Sequence, residues 1–187
     1  MPVSHVYTRY RNMHNHSINQ SQHRDSGFTL IEVMVALVIF SIGLLGVAGM
    51  QTAGLKNTHQ SYQRTIAVTA ARDMADRMRA NMTGVRNKAY SFSSSPSDPG
   101  CVSAACTYAD IANHDANQWY DSLNALPSPS ASSVSCTDIN AATAALDAGS
   151  ACIITVRWDS ERSGVTGTSC STTSTSDLTC VQLRFVP

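Results

Sequence analysis

The sequence predicts an α+β fold, in which one long N-terminal helix is followed by a small, disulfide-stapled domain that ends in antiparallel strands. Three observations carry this. From Val33 to Leu55 there are 23 residues without a charge, and no proline interrupts residues 28 to 95. Two β-branched segments, Ala151 to Trp158 and Leu178 to Val186, close the chain. All six cysteines, Cys101, Cys106, Cys136, Cys152, Cys170 and Cys180, lie in the second half. At 187 residues the chain holds one ordinary domain plus a long element, not two catalytic lobes.

Residues 1–27 are polar, with Arg9, Arg11 and Arg24 against Asp25, and lack apolar periodicity. They read as a leader, and Met13 is an alternative start. Its four histidines (His5, His14, His16, His23) are better read as incidental than as a metal site. The apolar run that follows reaches about 35 Å as a helix, enough for a hydrocarbon core of roughly 30 Å. The three leading arginines place the N-terminus in the cytoplasm by the positive-inside rule, although Lys56 and Arg64 weaken the argument. A secretory signal is the competing reading. Against it stand the length of the run and Glu32 in its first turn.

Beyond the span, Leu55, Tyr62, Ile66, Ala70, Met74, Met78 and Met82 mark an apolar stripe at spacings of seven or four. Gly84 is the expected stop. One helix over 28 to about 83 would be roughly 80 Å long, more than a small domain can cover, so half of it must find partners elsewhere. The organisation expected is a leader (1–27), a transmembrane assembly helix (28–55), its amphipathic continuation (56–84) and a periplasmic globular domain (85–187).

In that domain, residues 91–100, 128–135 and 163–176 are rich in Ser, Thr, Pro and Gly and read as loops. A short helix is expected from Tyr108 to Leu126, with Trp119 and Trp158 as core anchors. An even cysteine count after a membrane segment reads as a disulfide framework, with neighbours in sequence expected to pair. Zinc is disfavoured, because no Cys-x2-Cys occurs and His114 is the sole histidine after His59.

The zero net charge hides a gradient. Lys56 to Lys88 carries seven basic residues against Asp73 and Asp76, whereas residues 89–187 carry three arginines against nine acids. Stacked subunits could attract one another through this polarity, or both faces are simply solvated. A globally basic surface for nucleic acid is not supported.

The chemistry concentrates in Ser26-Gly27-Phe28-Thr29-Leu30-Ile31-Glu32. A carboxylate at the membrane edge costs about 2.5 to 3.5 kcal/mol on insertion scales and needs a partner. No basic side chain lies in the run. Cleavage after Gly27 would give Phe28 a free α-amine, one helical turn from Glu32 in the same chain or supplied by a neighbour. An intermolecular pair of that kind is heterologous and propagates as an open helix of subunits. Alternatively, Glu32 only complements the helix dipole. The residues leave both open.

The segment GFTLIEVMVALVIFSIGLLG closely resembles the class III signal and N-terminal helix of type IV pilins and pseudopilins. The resemblance implies a prepilin peptidase that cuts after Gly27 and methylates Phe28, and a role for Glu32 in subunit registration. It also implies the type IV pilin fold, a long helix packed on a small antiparallel sheet. The family's usual helix-kinking proline is missing, and Gly49 stands there, with Gly46 and Gly43 before it. Asp115-x3-Trp119, Leu126-Pro127, Val134-Ser-Cys136 and Ile154 to Trp158 are similar to PilV-type minor pilins, the type IV pilus modification proteins. That similarity implies partnership with other minor pilins, the major pilin and a tip adhesin, attachment to the inner membrane through residues 33–55 and later a place on the pilus, with adhesion and twitching motility as the outcome.

Other classes fare worse. No nucleophile elbow, phosphate-cradling glycine loop or His-Glu metal spacing occurs, so no enzyme and no cofactor are expected. Asp159 and Glu161 read as a turn after a strand. A minor pseudopilin of type II secretion and a membrane-tethered periplasmic binding module that never polymerises are the alternatives.

Overall fold

The computed structural model describes residues 27–187 apart from 104, 130, 141 and 172, so the expected leader lies outside the described residues except for Gly27. Two compact units meet within the first helix, at Val47/Ala48. Helix α1 is continuous over Leu30–Ala80, and residues 28–47, all exposed, form the described part of the first unit apart from Gly27.

The second unit contains the rest of α1, α2 (Met82–Arg86), α3 (Tyr108–Ser122) with a 3-10 turn at Leu123–Ala125, and strands β1 (Ser133–Thr137), β2 (Ala151–Trp158) and β3 (Thr179–Phe185). The strands form an antiparallel sheet in the order β1-β2-β3, with Val134 opposite Ile154 and Ile154 opposite Leu183. This is the long helix and small antiparallel sheet of the type IV pilin fold. Three disulfides join Cys101 to Cys106, Cys136 to Cys152 and Cys170 to Cys180. The second of these links directly opposed residues of β1 and β2.

β1 corrects the reading of 128–135 as loop. Only Val134 in Ser133–Thr137 is buried, so the strand carries little apolar signal and is defined instead by its pairing with β2.

The apolar stripe also needs correction. Leu55 and Tyr62 are exposed, and the buried face of α1 runs through Gln63, Ala67, Ala70, Ala71, Met74, Ala75 and Met78. A spacing of four advances about 40° beyond a full turn at each step. From Tyr62 to Met82 the expected stripe therefore winds roughly halfway round the helix, and only its middle coincides with the core. Met74 and Met78 are fully buried there, beside Trp119, Ile154, Val156 and Trp158.

The expected single helix is broken at Asn81, and a short second helix carries the helical segment past the expected stop. Asn81 separates α1 from α2, and its side-chain oxygen caps Gly84 N at 3.1 Å. A Cβ at Gly84 would lie 2.6 Å from Asn81 Nδ2, so this glycine leaves room for the cap and does not end the helix. The true end is Lys88, at φ 61°, where Lys88 N bonds Val85 O and Ala89 N bonds Gly84 O. That pair of bonds is a Schellman motif, with lysine in the left-handed position glycine usually takes.

Candidate assembly interface

α1 starts at a Thr-x-x-Glu sequence. The hydroxyl of Thr29 accepts from Glu32 N at 3.3 Å, as in a capping box. The reciprocal bond, from Thr29 N to the Glu32 carboxylate, is absent, and this carboxylate accepts no hydrogen bond among the described residues. It lines an open groove with Phe28, Val33, Ala36, Leu37 and Phe40, so the one acid of the segment is set in apolar surface.

The rest of the segment offers side chains without taking any. Phe28 is 82% exposed and Leu45 73%. Ser41 and Thr52 donate to Leu37 O and Ala48 O one turn back, at 2.7 and 3.0 Å, so their hydroxyls need no outside partner. Cβ atoms added at Gly27, Gly43, Gly46 or Gly49 would meet nothing within 4 Å. No packing within the chain requires glycine there. Among the described residues, a side chain at these positions would enter open space.

In the second unit, the buried face of α1 is held by two indoles. Trp119 on α3 donates from Nε1 to the main-chain carbonyl of Ala70 at 2.9 Å, and Trp158 on β2 donates to Gln63 Oε1 at 3.2 Å. Ala67, Ala70 and Ala71 have side chains short enough to let an indole reach the helix backbone. Asp115, one turn before Trp119, accepts from the Tyr90 hydroxyl and from Arg77 Nη1, the latter at 3.3 Å. Burial and the Asp115 carboxylate push the Tyr90 hydroxyl well above its ordinary pKa. Burial opposes the charge on Arg77, but Asp73 and Asp115 outweigh it and raise its pKa.

A second polar centre closes the 138–150 loop. The Asp138 carboxylate accepts from Lys88 Nζ and Ser150 Oγ at 2.9 Å each, and from the backbone N–H groups of Asn140 and Asp147. Lys88 and these donors hold its pKa far below the usual carboxylate range.

The other residues singled out from sequence have local roles. Asp159 holds the turn after β2 by accepting from Gly164 N at 2.7 Å, and Glu161 pairs with Lys56 at 2.9 Å. His114 Nδ1 meets Asp98 at 2.7 Å. The basic stretch from Lys56 to Lys88 is partly neutralised, since Lys56, Arg77, Arg79 and Lys88 are in ion pairs. Gln63, Asn81, Tyr90 and the Lys88–Asp138 pair were not foreseen. Only Asn81, a strong capping residue three before a glycine, left a local signal.

Residues 22–48 match the model of the prokaryotic N-terminal methylation motif, and residues 49–117 match that of type IV pilin Tt1218. No curated protein and no solved structure gives a significant match.

Proposed function

Because the chain is type IV pilin-like and carries a prepilin methylation motif, we propose that it is a minor pilin of the PilV type. In this reading a prepilin peptidase cuts after Gly27, methylates Phe28 and releases a subunit that enters the filament through α1. The subunit waits in the inner membrane with residues 85–187 in the periplasm, and with other minor pilins it primes assembly of the pilus beneath an adhesin. The supporting observation is Glu32, whose carboxylate has no hydrogen-bond partner among the described residues and lines a groove of otherwise apolar side chains. A processed Phe28 on a neighbouring subunit supplies the missing cation, and the exposed faces of residues 28–47 supply surface for that neighbour to bury. In this reading the role is structural, and the subunit is the substrate of the processing steps and not a catalyst.

N-terminal mass spectrometry of membrane and sheared-filament fractions tests the processing step. The expected mature chain begins at methylated Phe28, and any other start overturns the reading. Glu32→Ala should keep its membrane level and vanish from filaments. Deletion of the gene should remove surface pili and twitching. A loss of protein secretion with pili intact would assign the chain to the pseudopilins of type II secretion instead.

A further inference from the structure

The three-stranded sheet has two edges, and among the described residues only one is covered. Beside β1, Phe92 and Val134 exchange backbone hydrogen bonds of 2.8 and 2.9 Å, and Ser91 Oγ accepts from Cys136 N. β3 pairs with β2 over seven residues without a bulge, from Trp158 opposite Thr179 to Cys152 opposite Phe185. No strand among the described residues lies on its other side. Among the described residues, the backbone of 179–185 makes no hydrogen bond beyond those with β2.

An antiparallel edge strand turns about half of its N–H and C=O groups away from its neighbour, in register for another strand. Proline, lysine and a bulge, three of the usual protections, are missing from residues 179–185, and the one charge on the edge is Arg184 near its end. The side chains add a second mark. On the core side, Phe185 is buried, but Val181 and Leu183 pack against the core while only half-buried. On the opposite side, Arg184 is exposed and has no carboxylate partner among the described residues.

We infer that the β3 edge is the docking site for an extended strand of a different pilin-like subunit. That strand carries apolar residues at alternate positions, which complete the cover over Val181 and Leu183, and a carboxylate on its other face opposite Arg184. The edge is about 24 Å long at the usual rise per residue. Main-chain bonds supply the affinity, while the alternate side chains and the charge select the partner. The described strands of a second copy do not supply that carboxylate, because none of them contains Asp or Glu. The inference rests on the filament-subunit reading for the nature of the partner.

The test is site-specific photo-crosslinking of the full chain in cells, with a benzophenone side chain at Gln182 and, as control, at exposed Ala144. Adducts are read in both membrane and sheared-filament fractions and identified by mass spectrometry. The expected result is an adduct from position 182, and none from 144, to another chain that bears the N-terminal methylation motif. Adding Leu183→Lys should abolish it while the thermal melt stays close to that of the parent. If that variant melts early, Arg184→Glu, on the solvent face, serves in its place and should give the same loss. A self-adduct, an adduct to a protein without the motif, or no adduct in either fraction overturns the inference. A chain that reaches filaments yet gives no adduct leaves the filament reading intact, so the two fail separately.

Discussion

Removing the disulfides one pair at a time, each by Cys→Ala at both ends, should rank them by burial more than by loop length. The closed loops have sequence separations of 16 for Cys136–Cys152, 10 for Cys170–Cys180 and 5 for Cys101–Cys106. Loop-closure entropy alone then gives losses of about 3.1, 2.7 and 2.1 kcal/mol, a spread of only about 1 kcal/mol. Packing separates them further. Cys152 is fully buried in the core beside Ile154, and Cys136 packs against that core. Loss of their sulfurs opens a void between β1 and the core, which adds about 1–2 kcal/mol. Cys101 and Cys106 sit half-buried in a loop next to Val102, which is 87% exposed, so their removal costs the entropy term and little else. Urea unfolding of the full chain in detergent, followed by fluorescence of the two buried tryptophans, should place the Cys136/Cys152 variant about 4–5 kcal/mol below the parent and the Cys101/Cys106 variant about 2 kcal/mol below. Equal losses for all three pairs, or the largest loss at Cys101/Cys106, would refute the argument that core burial governs.

Two further outcomes follow from the polar anchors. The Asp138 pKa is depressed on folding, so the stability it contributes is complete above its unfolded value of about 3.9 and is lost as pH falls through and below that point. Acid unfolding of Asp138→Asn should therefore begin from a lower plateau at neutral pH and fall less steeply below about pH 4; a parallel acid limb would remove Asp138 from the account. For the Trp158–Gln63 bond, Gln63→Ala strands a buried indole N–H and should cost about 1–3 kcal/mol. Trp158→Phe should cost a comparable amount, and in the double variant the two losses should overlap by about 1 kcal/mol. Strict additivity in the melts would mean that the two side chains do not act as a pair.

How much of this was legible depends on whether a feature is local. The long helix, β2, β3 and the core positions of Trp119 and Trp158 all follow from composition within a dozen residues. β1 did not, because a strand with one buried apolar residue has no periodicity to read, and its register comes from β2, fourteen or more residues away. The buried face of α1 was misplaced for a related reason. Its inward residues are four alanines, one glutamine and only two large apolar residues, Met74 and Met78, and the indoles from α3 and β2 meet the helix there. Alanine carries little hydrophobic weight on its own, so Leu55 and Tyr62 drew the start of the stripe away from the true face, on which Met74 and Met78 do lie.

One helix presents two kinds of surface. Over Gln63 to Met78, small side chains bring Trp119 close enough to bond the Ala70 carbonyl, so the domain is tied to the backbone itself as well as to the buried Met74 and Met78. Large apolar side chains are instead concentrated before Met50, where every residue from Phe28 onward is exposed. Enlarging an alanine on the buried face would therefore loosen the domain from its helix, whereas enlarging Gly43, Gly46 or Gly49 meets nothing within the chain. An Ala70→Leu variant should lower the melting temperature before it alters any contact with other subunits, because overpacking at a buried alanine costs about 1–3 kcal/mol. A Gly46→Leu variant should melt like the parent and be detected only through its assembly. Reversal of that pattern would mean that the glycines, and not the alanines, are committed to contacts inside the subunit.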